Sequence, residues 1–180
     1  MIHGGAFGAT QDELGTERDS AARAALAKAL EAGGAILRSG GAALDAVEAA
    51  VAALEDAPEF NAGRGSALTA QGRAEMDAAI MDGRDRTAGA VVSLTTTRHP
   101  IAAARVSSSA APRLVKEHSP HVMLSGEEAD QWAASHGLEQ RDNGWFITDS
   151  RRAQADRMRQ NGGFDSDMKY GTVGAVAIDQ

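Results

Sequence analysis

Thr172 is the residue of this chain best placed to do chemistry. It stands between Gly171 and Gly174 and opens an apolar run, Val173-Gly174-Ala175-Val176-Ala177-Ile178, of strand character. A hydroxyl is a weak nucleophile until a base removes its proton. The α-amine of the same residue can be that base, with a reference pKa of about 8, but only after the peptide bond before it has been cut. Gly171 has no side chain to obstruct attack on its carbonyl. The polar, glycine-rich stretch Asn161-Gly162-Gly163-Phe164-Asp165-Ser166-Asp167 lies just upstream and would give that bond freedom. A simple Gly-Thr turn entering an ordinary strand fits the same residues, and both readings stand at this point.

Other chemistry-bearing patterns are weaker. Asn61 sits in the loop Phe60-Asn61-Ala62-Gly63-Arg64-Gly65-Ser66, where its amide could donate to a reacting oxygen or cap a turn. His3-Gly4-Gly5 is a glycine turn with no Walker-type Gly-Lys-Ser/Thr ending. His118 and His121 with Glu117 have ligand-like spacing, but Ser119-Pro120 would break the helix such a pair needs. Asp165 and Asp167 begin like a calcium loop that has no closing glutamate. Asp77 and Asp82 would face opposite sides of one strand, so paired-carboxylate chemistry is not expected. No Gly-x-Ser-x-Gly elbow occurs.

The elements that must position these residues follow from periodicity. Met1 to His3 reads as a short strand. Asp19 to Arg38 reads as a helix with Leu26, Leu30, Gly33 and Leu37 on one face, Gly33-Gly34 marking a close contact. Ala42 to Asp56 is the clearest helix, with Pro58 after it as a stop. Ser66 to Thr69, a turn at Gln71-Gly72, and Glu75 to Met81 read as a hairpin. Ala90 to Thr96 and His121 to Leu124 read as strands, and Pro100 to Ser109 as a helix. Ser125 with Glu128 has the spacing of a capping box that starts a further helix. Residues 1–138 form the expected core. Residues 139–171 are expected to be a flexible linker, whose Arg151-Arg152, Arg157 and Arg159 cluster fits a solvated face.

Composition bounds the function. The 180 residues carry a net charge of −7 and no basic block, so nucleic acid is not an expected partner. There is no cysteine, hence no disulfide, thiolate nucleophile or cysteine-zinc site. No run approaches membrane-spanning length and no signal-peptide pattern opens the chain, so a cytoplasmic setting is the expectation.

Five segments in one order, Ile2-His3-Gly4-Gly5-Ala6, Phe60 to Ser66, Glu75 to Gly83, Ser119 to Gly126 and Gly171 to Val176, make the chain resemble the plant-type asparaginase and isoaspartyl peptidase family of N-terminal-nucleophile hydrolases. The resemblance implies an α+β chain, the N-terminal portion of an αββα four-layer sandwich. It implies self-cleavage between Gly171 and Thr172, with residues 172–180 starting a β subunit. The freed Thr172 would attack the side-chain amide of L-asparagine or the β-linked carbonyl of an isoaspartyl dipeptide, with Asn61 beside it. His3, Gly4 and Gly5 would form the glycine loop near the nucleophile. Ala6-Phe7-Gly8 departs mildly from the small residues usual there. A structural sodium ion would be held by the backbone carbonyls of Leu54, Glu55, Ala57, Phe60, Ala62 and Arg64. No organic cofactor is implied, and the processed enzyme would be a dimer of αβ units. The segments that grip the substrate's α-carboxylate and supply oxyanion donors in such enzymes follow the threonine. Only eight residues follow Thr172, so the expectation is an incomplete fragment. An inactive truncated relative is the alternative, as is a glycosylasparaginase-like hydrolase, which Tyr170-Gly171 before the threonine disfavours.

Overall fold

Alanine decides how the first helices pack. In the computed structural model, which describes residues 1–5, 15–108, 122–162 and 171–179, helix α1 runs Thr16–Arg38 and α2 runs Ala43–Glu55. A Cβ at Gly33 would lie 2.7 Å from the Ala46 carbonyl oxygen and 3.2 Å from the Ala50 methyl, so a glycine is what lets the helices touch. Ala29 is fully buried, whereas Leu30, expected on the inner face, is 54% exposed. Close approach through small residues turns the buried stripe of α1 by one position relative to the leucine pattern.

The chain divides into two compact units, Met1–Ala74 with Gly144–Gln180, and Glu75–Asn143. The first unit holds α1, α2, a two-stranded antiparallel pair of β1 (Ile2–His3) and β5 (Gly174–Ala175), and helix α6 (Asp149–Gln160). Its core is Ala29, Leu54, Ala57 and Phe60, with Ile2, Leu26, Ala53 and Val173 packed against it.

The second unit is a three-stranded sheet. Strands β2 (Met76–Met81) and β3 (Ala88–Leu94) pair antiparallel, and β4 (Met123–Ser125) joins β3 in parallel. Helices α3 (Pro100–Ser108) and α4 (Gly126–Ser135) pack on it, burying Ile101, Ala103, Ala129 and Ala133. The short helix α5 (Asn143–Phe146) returns the chain to the first unit. The architecture is α+β with a mixed sheet.

Four expectations change. The hairpin expected over 66–81 reduces to one bridge, Leu68 with Ala74, while β2 pairs along its length with β3. The strand expected to Thr96 stops at Leu94, since Asp130 takes the backbone N–H groups of Thr95, Thr96 and Thr97 that a strand would have used. Ser125 does stand at the N-cap of α4, but its side chain makes no capping bond. The stretch expected as linker contains α5 and α6, the latter capped by Thr148, whose hydroxyl oxygen accepts from the Arg151 N–H at 3.2 Å. His118, His121, Glu117, Asp165 and Asp167 lie outside the described residues.

Candidate functional site

The first unit builds the site on the β1/β5 pair. Ile2 lies opposite Ala175 and His3 opposite Gly174. The pairing continues outward, with the Met1 ammonium donating to Val176 O at 2.8 Å and Val176 N–H donating to Met1 O at 2.9 Å. This register brings the residues after β1 beside those before β5. Gly5 has φ +104°, and a Cβ there would sit 3.2 Å from the Gly171 carbonyl carbon, 3.3 Å from its Cα and 3.4 Å from Thr172 O. The Gly171–Thr172 peptide therefore lies directly against Gly5. Gly4 in turn lies on the Phe60 ring, where a Cβ would meet Cε1 at 2.5 Å.

Thr172 is exposed and Gly171 half-buried. The next residue, Val173, is packed against the Leu54–Phe60 core, so the apolar neighbour fixes the chain while the threonine stays open to solvent. Further along, the Asp179 carboxylate accepts from Ala43 N–H at 2.8 Å, at the first turn of α2, whose N-cap Ala42 offers no side-chain acceptor. Five of the sequence-expected residues, His3, Gly4, Gly5, Gly171 and Thr172, thus come together with Phe60.

The loop leaving α2 folds back on itself. Arg64 N–H donates to Glu55 O at 2.7 Å, and Phe60 N–H to Ala57 O at 3.3 Å. A Cβ at Gly63 would come within 2.3 Å of Glu55 O, and one at Gly65 within 2.7 Å of Phe60 O and 2.8 Å of Pro58 O. Backbone carbonyls therefore crowd both glycines, leaving no room for a side chain at either position. Asn61 follows Phe60, and its side-chain oxygen accepts from Ala67 N–H at 2.8 Å within its own loop. That bond fixes the amide and leaves its NH2 end as the donor. Among the described residues, no three His, Asp or Glu side chains converge as a metal site.

Arg151, expected on a solvated face, is instead partly buried, and Asp179 carries weight that the sequence did not signal. Arg151 on α6 donates from Nε to the Gly65 carbonyl, and Gly65 N–H donates to Phe146 O at 2.9 Å. Burial pushes the Arg151 guanidinium below its ordinary pKa, though an arginine keeps its charge. Arg64 stacks over Trp145 at 5.6 Å. Asp179 was also missed, because its partner is 136 positions away.

A sequence model of the family described as Asparaginase matches residues 1–180. The chain is 39% identical to the isoaspartyl peptidase of Salmonella typhimurium, over 99% of this chain and 58% of that protein. It is 40% identical to the human isoaspartyl peptidase/L-asparaginase, over 99% of this chain and 55% of that one. A probable isoaspartyl peptidase/L-asparaginase of Arabidopsis thaliana is 38% identical, over 99% and 53%. The chain spans little more than half the length of these relatives.

Proposed function

The chain belongs to the asparaginase family, and from that premise we propose that it carries the nucleophile of an amidohydrolase that first cuts itself at Gly171–Thr172 and then hydrolyses L-asparagine and β-aspartyl dipeptides. The observation that carries this reading is the seating of the Gly171–Thr172 peptide against Gly5, with Val173 anchored in the core. The relatives' names supply the substrate class.

The chemistry follows from one residue used twice. In the precursor, the Thr172 hydroxyl attacks the Gly171 carbonyl carbon. The peptide nitrogen leaves as the amine of Thr172, and an ester to the threonine oxygen replaces the amide. Water then hydrolyses the ester, leaving a chain that ends at Gly171 and one that begins at Thr172. The new α-amine takes the proton of its own hydroxyl, and the oxygen attacks the substrate's side-chain carbonyl. Ammonia, or the amine of the second residue in a dipeptide, leaves with a proton. Water finally releases aspartate. The Asn61 NH2 donates toward the oxygen that gains charge. The remaining length of the relatives would supply the substrate clamp and the rest of the oxyanion donors. The 180 residues would then be a fragment of a longer precursor, taking the α-subunit part of an αββα sandwich and assembling as a dimer of αβ units.

The loop from Leu54 to Arg64 fits a hard cation held by main-chain oxygens. The carbonyls of Leu54, Glu55 and Ala57 each accept one N–H, and a carbonyl keeps a second lone pair. With those of Phe60, Ala62 and Arg64 they would hold sodium, which would stiffen the loop that carries Asn61.

The reading is tested on protein expressed from its complete natural reading frame. Intact-mass measurement under denaturing conditions should show two chains that meet between Gly171 and Thr172, and one uncut chain for Thr172→Ala. Asparagine and β-aspartyl dipeptide hydrolysis should accompany the cut form alone. A wild-type chain that stays whole would sink the proposal.

A further inference from the structure

We infer that His3 is a positioning residue for the cleavage step, through the acceptor its imidazole offers to the Gly5 N–H. The inference rests on the self-cleavage reading above. It concerns a side chain rather than the glycine backbone beside it.

His3 touches the neighbourhood of the scissile bond in two ways. Its Nδ1 accepts from Gly5 N–H at 3.3 Å. Its ring lies on Gly174, the cross-strand partner of His3, where an added Cβ would be 2.3 Å from Nε2 and 3.0 Å from Cδ2. Gly174 therefore leaves the ring its seat, and the seat aims Nδ1 at Gly5. Gly5 in turn abuts the Gly171 carbonyl carbon. One imidazole so ties the strand after Thr172 to the residue that backs the bond before it.

The hydrogen bond also restrains a backbone that needs restraint. Gly5 has φ +104°, a region glycine enters freely and leaves as freely. A local side-chain acceptor two residues earlier holds that conformation, as Asx-type turns do. The acceptor role assigns the proton of neutral His3 to Nε2. With the acceptor gone, Gly5 would sample other conformations, and the Gly171 carbonyl would lose the surface it rests on. Attack by a hydroxyl on a neighbouring carbonyl depends steeply on such placement.

The test compares three forms of the protein expressed from its complete natural reading frame. In His3→Asn, the side-chain oxygen takes nearly the place of Nδ1 and can accept from Gly5. In His3→Phe, a ring remains to cover Gly174 but no acceptor does. Cleavage is followed by intact mass over time, and folding by thermal melting. The expected result is His3→Phe slowed at least about tenfold, His3→Asn within about threefold of wild type, and the two melting alike. Equal rates for His3→Phe and wild type would overturn the inference while leaving self-cleavage intact. So would His3→Asn falling as far as His3→Phe, since ring packing would then be the cause. A wild-type chain that never cuts would remove the cleavage reading itself, and this inference with it.

Discussion

Asp130 and Gly5 hold backbone in place by opposite means. The Asp130 carboxylate, 5% exposed, accepts from the backbone N–H groups of Thr95, Thr96 and Thr97 and from the hydroxyls of Thr95 and Thr97. Burial pushes its pKa up, but the hydrogen bonds from Thr97 and Thr95 together outweigh it and leave the group below its ordinary value. The stabilisation is therefore present above the ordinary carboxylate pKa and is lost as pH falls through the folded value. Asp130→Ala, which strands those donors, should cost about 3 kcal/mol in urea unfolding near neutral pH. The gap between wild type and Asp130→Asn should narrow as the medium is acidified. Asp82 adds to the same acid side: chiefly the hydrogen bonds from Arg84 lower it to about 2, so its share is complete only above the ordinary carboxylate pKa and fades as pH falls toward that value. Gly5 works by having no side chain. In Gly5→Ala, a methyl at φ +104° would press on the Gly171 carbonyl carbon. Strain of about 1–3 kcal/mol at that point should slow self-cleavage roughly tenfold or more in the mass time course; an unchanged rate would mean the contact is incidental. The glycine was legible because its motif is local. Asp130 was not, since its partners lie 33 to 35 positions back and no spacing rule connects them.

Helices were legible where their own turns carried the pattern. Helix α2 was read as Ala42 to Asp56 and spans Ala43–Glu55, because Leu44, Val51 and Leu54 bury at helical spacing. Strand partners were harder: β4 joins β3 in parallel across an intervening helix, and nothing in either segment announces it. The Gly33 contact tests how tightly the first two helices pack. Gly33→Ala would force a methyl toward the Ala46 carbonyl, and the resulting overpacking should cost roughly 1–3 kcal/mol, read as a lowered melting temperature. If melting does not change, α1 and α2 have room that their spacing denies. Helix α6 has a different office. Through Arg151 it grips the Gly65 carbonyl at the end of the loop that carries Asn61. Arg151→Met keeps much of the apolar stem and removes the donor. Hydrolytic activity of the cut enzyme should fall several-fold in this variant while α6 stays folded by circular dichroism. Full activity would show that the loop holds its shape without the arginine.

At the scale of the molecule, the question is what becomes of a chain cut at Gly171. Among the described residues, the bonds that would join the two pieces lie within the first unit, and none depends on the scissile peptide. They are the β1/β5 register of Ile2 with Ala175 and His3 with Gly174, the paired bonds between Met1 and Val176, and the Asp179 cap on α2. Val173 adds apolar contact with the Leu54–Phe60 core. The fold class and the family motifs could be read along the sequence, but this clamp could not, because it links positions at the two ends of 180 residues. Its consequence is that cutting should free the amine of Thr172 without freeing the threonine. The two pieces should elute as one species in native size-exclusion chromatography and separate only under denaturing conditions. Asp179→Ala should weaken their association by about 1 kcal/mol, the usual loss for a helix cap, seen as separation at a lower urea concentration. Pieces that part in native buffer would show that the β1/β5 clamp is too weak to hold a nucleophile in place, and that the threonine must be positioned from elsewhere.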